Sequence, residues 1–153
     1  MFLLPAAGPS IRAAKVSPPA ISAHRATAVL FTAEIADPAV IGKSVNLQRL
    51  NVADGTYRTI GILYDDGTHG DVTAGDGVYS LQLRLTEHGP FPLVFRISAA
   101  MRGSISRVFS PQIVVKEAAA PTARAARAPR PAGFSATGEG AAETFPAPTT
   151  FGF

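Results

Sequence analysis

Residues 63–83 read LYDDGTHGDVTAGDGVYSLQL, and the thirteen positions from Asp65 to Gly77 hold four aspartates and four glycines. Three kinds of chemistry suit that composition. Asp65, Asp66, Asp71 and Asp76 can build turns, because a short carboxylate accepts hydrogen bonds from amides one or two residues on, while Gly67, Gly70, Gly75 and Gly77 reach positive φ freely. They can instead supply oxygens to calcium, a hard cation that takes six to eight of them. Four like charges so close together call for compensation, by a cation, by water, or by Arg58 or His69 nearby. The spacing is not that of an EF-hand: with Asp65 as position one, positions three and five are Gly67 and His69. The third option is a carboxylate pair for hydrolysis, which needs two acids held across a cleft, usually by different rigid elements. Here the acids share one loop.

Other reactive groups are sparse. His24, His69 and His88 are far apart in sequence, with neither a Ser-His-Asp context nor two-histidine metal spacing. Cysteine is absent, which excludes disulfides, thiolate zinc sites and cysteine nucleophiles. The net charge of +3 comes from dispersed basic residues, with only Arg124, Arg127 and Arg130 forming a sparse run. A nucleic-acid binder would concentrate them beside stacking aromatics, so no nucleic-acid partner is expected. No stretch approaches the ~20 apolar residues that span a bilayer.

The elements that must position the aspartates are strands. Val29, Phe31, Ala33 and Ile35 alternate with Ala28, Leu30, Thr32 and Glu34, and Asp37-Pro38 stops the run. Val45 and Leu47 share one phase and Leu50 and Val52 the other, a slip at Gln48-Arg49 that one extra residue in a bulge would produce. Asp54-Gly55 marks a hairpin. Tyr79, Leu81, Leu83 and Leu85 alternate after the aspartate loop, and Leu93, Phe95, Ile97 and Ala99 do so after the turn EHGPFP. SPPAIS opens the series, TYRTIGILY leads into the aspartate loop and SISRVFSPQIVV closes the series. About seven short strands with Gly/Pro/Asp turns predict an all-β antiparallel, immunoglobulin-like sandwich over residues 18–116. Residues 1–17 read as a disordered leader with no visible signal peptide. Residues 117–153 read as a disordered Ala/Pro-rich tail or linker, whose composition buries too little apolar surface to offset the ordering entropy. Phe134, Phe145, Phe151 and Phe153 are its candidate docking anchors. Tyr57 and Tyr64 are candidate sugar-stacking rings, with packing on a sheet face as the plainer role.

The loop resembles a bacterial module of the form D-D-G-x-x-G-D-x-x-x-x-D-G-x-Y, found in immunoglobulin-like or fibronectin-III-like domains of secreted and cell-surface proteins. Asp65, Asp66, Gly67, Gly70, Asp71, Asp76, Gly77 and Tyr79 match it, and the similarity extends over roughly residues 20–115. The resemblance implies a non-enzymatic spacer or adhesion-type module, outside the cell or in its envelope, a cytoplasmic place staying open. Its expected partner is a protein or cell-surface polymer, as a monomer or part of a larger assembly. Calcium on Asp65, Asp66, Asp71 and Asp76 is the one cofactor to consider. Two alternatives stand beside this reading: a small hydrolase, or a hydrolase accessory domain, using the aspartate loop; and an intracellular interaction domain with the Phe-bearing tail as its motif.

Overall fold

The computed structural model describes residues 8–119. Nine strands form two layers: β1 (Arg12–Ser17), β2 (Ala20–Ile21), β3 (Thr27–Glu34), β4 (Asn46–Asn51), β5 (Thr56–Ile62), β6 (Val78–Leu85), β7 (Leu93–Ala99), β8 (Val108–Phe109) and β9 (Ile113–Glu117). One sheet has the order β1-β3-β6; the other has the order β2-β9-β7-β4-β5, with β8 also on β7. Every pairing is antiparallel except β2 with β9. This is the expected sandwich, with its inward residues where alternation places them. Val29, Phe31 and Ala33 from one sheet and Leu47, Phe95, Ile97 and Val115 from the other are fully buried. Phe31 and Phe95 meet across the layers with ring centroids 4.9 Å apart and planes tilted by 59°, a favourable aromatic geometry. At Gly61 on β5, an added Cβ would stand 2.5 Å from Leu81 Cδ2, so the missing side chain makes room for a core leucine of the facing sheet.

Four details correct the expectations. The disordered leader of residues 1–17 does not run that far: Arg12–Ser17 is a strand on β3. Its Ala-rich sequence carries little β signal. It is held by a long-range ladder and by Ile11, Ala14 and Val16, which pack on the core. Pro18 and Pro19 end that pairing, since proline brings no N–H to a ladder, and the chain crosses to β9, where Lys116 N donates to Pro19 O at 2.9 Å. The phase slip near Gln48 has its extra residue on the partner strand. Leu47 faces Gly61 and Gln48 faces Thr59, so Ile60 is the unpaired residue, whereas β4 keeps an unbroken register with β7. The last expected strand is two, β8 and β9, divided at Pro111; beside the break, Ser110 Oγ accepts from Ile97 N at 2.9 Å in place of a backbone carbonyl. The expected tail begins within β9, whose last residue is Glu117; residues 120–153, with all four tail phenylalanines, lie outside the described residues.

If β1 is part of the fold, removing residues 1–17 should lower stability by about 3 kcal/mol or more, from lost apolar burial and an opened sheet edge. The urea midpoint checks this; an unchanged midpoint would restore the leader reading.

Candidate functional site

The aspartate loop leaves β5 in one sheet and enters β6 in the other. Leu63, fully buried, fixes its start, its N–H donating to Val45 O at 2.8 Å. Tyr64 and Ser80 exchange two backbone hydrogen bonds, of 2.9 and 2.8 Å, and Gln82 N donates to His69 O at 2.7 Å. Among the described residues only β3 pairs with β6 as a strand, so the loop satisfies amides and carbonyls along the edge that would otherwise invite another strand.

Within the loop each aspartate has a separate task. Asp65 Oδ1 accepts from Gly75 N at 2.6 Å and Asp76 N at 3.2 Å, while Oδ2 accepts from Gly77 N at 3.1 Å. One carboxylate thus gathers three successive amides from the far side of the loop. Asp71, 9% exposed, accepts from Gly67 N at 2.7 Å and Thr73 N at 3.3 Å. Asp66 holds the backbone N–H of Thr68 at 3.0 Å and its hydroxyl. Asp76 caps Val78 N at 2.9 Å. Gly77 has φ +82°, and a Cβ there would lie 3.2 Å from Ile35 O, so both conformation and space call for glycine. Its carbonyl accepts from Ile35 N at 2.8 Å and ties the loop to the end of β3.

Three of the four sequence-derived ligands converge. Asp65, Asp71 and Asp76 each offer an oxygen within 4.8 Å of the others; Asp66 stands outside this group. Oxygens opposite one another across calcium stand about 4.8 Å apart, twice a Ca–O distance of about 2.4 Å, so the cluster fits that ion's span and its hard-oxygen preference. The amide bonds leave carboxylate lone pairs free. Among the described residues neither ion pair includes a loop aspartate: Arg58 pairs with Asp54 at 3.5 Å, and Arg49 with Glu87. His69 stacks on Tyr64, centroids 4.4 Å apart, and contacts Thr68 Oγ at 2.5 Å. Tyr57 lies under the Arg96 guanidinium, 3.7 Å from its ring centroid. Both candidate sugar-stacking rings therefore already carry a protein neighbour.

One member of the site was hidden in the sequence. An open cleft of about 370 Å³ runs beside the loop, lined among others by Asp37, Asp65, Asp76 and Tyr79. Asp37 read only as a strand stop before Pro38; the Ile35–Gly77 bond brings it to the loop. Its carboxylate accepts from Ala39 N at 2.8 Å. Tyr79, expected in the core, is 6% exposed. Burial, and then the negative charge of Asp65, push its phenol above the ordinary value of 10.0.

Residues 20–104 match the model of the conditioned medium factor second Ig-like domain. The chain belongs to that family. No curated protein and no solved structure matches it. In this Ig-like domain the match covers β2 through β7, including the whole aspartate loop, and stops before β8 and β9.

Asp65→Ala should destabilise the domain by about 2–4 kcal/mol, because three amides lose a charged acceptor, whereas Asp66→Ala should cost about 1 kcal/mol or less. Paired denaturant melts check the contrast. Tyr79 gives a pH signature: the folded state holds its phenolic proton more tightly than the unfolded state, so that contribution is present below pH 10.0 and is lost as pH rises above it. Ultraviolet titration should show one phenol ionising late, and Tyr79→Phe should remove that step.

Proposed function

We propose that this Ig-like domain is a non-enzymatic structural or binding module of the cell exterior or envelope, a spacer or adhesion-type unit whose aspartate loop is closed by its own carboxylates and further stiffened by calcium. The observation that carries the reading is Asp65, whose two oxygens are committed to three backbone amides of the same loop. A carboxylate that shuttles protons or attacks a substrate needs a free, oriented oxygen at a reacting centre. Asp37, which lines the cleft beside the loop from another segment, gives one oxygen to the Ala39 amide. These commitments weigh against the hydrolase alternative. The intracellular alternative rests on tail residues beyond those described.

Calcium would be held by Asp65, Asp71 and Asp76, with water or loop carbonyls completing its shell, and would neutralise their mutual repulsion. The family's name refers to a conditioned medium factor, which agrees with a place outside the cell. Partners would be proteins or surface polymers, met by a stiff rather than an adapting loop.

The test is thermal. Saturating Ca²⁺ should raise Tm as ligand linkage requires, about 2.7 kcal/mol at a hundredfold excess over Kd. A chelator should reverse the rise and Asp76→Asn should abolish it. A melting curve indifferent to calcium and chelator would remove the ion and leave the carboxylate clamp as the stiffening device.

A further inference from the structure

The loops at the other end of β3 and β6 bring together two histidines that are 64 residues apart in sequence. His24, between β2 and β3, and His88, between β6 and β7, place their Nδ1 atoms 2.8 Å apart, with ring centroids 4.9 Å apart and planes tilted by 52°. Both are exposed. The approach is built by the backbone: His24 N donates to Glu87 O at 2.7 Å, and His24 has φ +58°, a region a residue with a side chain enters at a cost. The Glu87 side chain points elsewhere, 9% exposed and held in a two-pronged pair by Arg49 at 2.5 and 2.9 Å. That ion pair anchors the loop carrying His88 to β4.

We infer that His24 and His88 form a two-imidazole chelate for a late divalent transition metal, Cu(II) or Ni(II) in preference to Zn(II). Neutral imidazole nitrogen is the ligand these cations favour over the hard ions that choose carboxylates. The bite distinguishes among them. At a metal–nitrogen distance of about 2.0–2.1 Å, two nitrogens at a right angle stand about 2.9 Å apart, against about 3.3 Å in a tetrahedron. The spacing here matches the right-angle geometry of square-planar or tetragonal sites, with solvent in the other positions. The Nδ1 atoms face each other across one hydrogen bond, one ring carrying its proton on Nδ1. A modest rotation of the two exposed rings about χ2, which keeps the Nδ1 atoms near this spacing, turns their lone pairs toward a common point. The Nδ1 proton passes by way of solvent to Nε2 of the same ring, so both imidazoles stay neutral as the metal takes its place.

The test uses the full chain without a histidine tag. Copper(II) titrated by calorimetry should bind one equivalent per chain, and electron paramagnetic resonance should show two equatorial nitrogens. His24→Gln and His88→Gln should each weaken binding by about tenfold or more, while His69→Gln should leave it unchanged. Circular dichroism on each variant keeps loss of the ligand distinct from loss of the fold. Absence of stoichiometric binding, a copper spectrum with only oxygen ligands, or equal binding by the double His24→Gln/His88→Gln variant would overturn the site. Zinc binding tighter than nickel would overturn the right-angle geometry.

Discussion

The carboxylate of Asp65 is the constraint from which the loop end of the molecule follows. A thirteen-residue connection rich in glycine loses much entropy on ordering, and its amides must find acceptors when the sandwich packs. Asp65 answers three of them at once and closes a ring on Gly75, Asp76 and Gly77. Closure has two structural effects. It sets the Gly77 carbonyl against Ile35 N, joining the loop to β3, and it delivers Val78 and Tyr79 into β6 in phase with the core. With the loop pinned at both ends, its middle can lie along the β6 edge and give that strand the partners it lacks.

The same ring explains why the loop holds a fixed shape. Each aspartate answers backbone groups of its own loop, so charge is spent on shape. The negative charge left over is still real: three oxygens lie within 4.8 Å of one another with no cationic side chain paired to them among the described residues. Under the proposed reading calcium would complete an existing arrangement instead of assembling one, which would keep the ordering cost of binding low. The Tyr79 phenol feels the same charge through Asp65, so the core and the loop are electrostatically joined.

Much of this was legible in residues 18–116 because it is local. Period-two alternation placed Val29, Phe31, Leu47, Phe95 and Ile97 inside, and the Asp/Gly spacing announced a self-capping loop before any partner was known. Features set by long-range pairing were not legible. β1 has almost no intrinsic strand signal and exists because β3 offers it a ladder. A shift of phase in β4 could be seen, but not that Ile60 of the neighbouring strand absorbs it. Asp37 became part of the loop's surroundings only through a bond between Ile35 and Gly77. His24 and His88 looked isolated because sequence distance says nothing of two loops at the same end of paired strands. Asp66, equal to its neighbours in the sequence, is set apart from the cluster by its local turn with Thr68.

The strand directions give these two side-chain clusters a common logic. β3 and β6 pair along eight residues, Thr27 against Leu85 and Glu34 against Val78, a span of about 25 Å. The aspartate loop and Asp37 lie at the Glu34 end, and the histidines at the Thr27 end. β1 begins opposite Glu34, so the chain enters the sandwich beside the acids; β9 ends beyond its Val115–Leu93 pairing, so the chain leaves toward the histidines. A pull on the chain would therefore run the length of the sandwich and meet a loop fastened by side chains at each end, carboxylate to amide at one and imidazole to imidazole at the other. Hard oxygens and imidazole nitrogens select different cations, and the distance between them exceeds that at which perturbations couple. On the proposed reading, each end could be stiffened without altering the other, which would suit a spacer that keeps its shape under load.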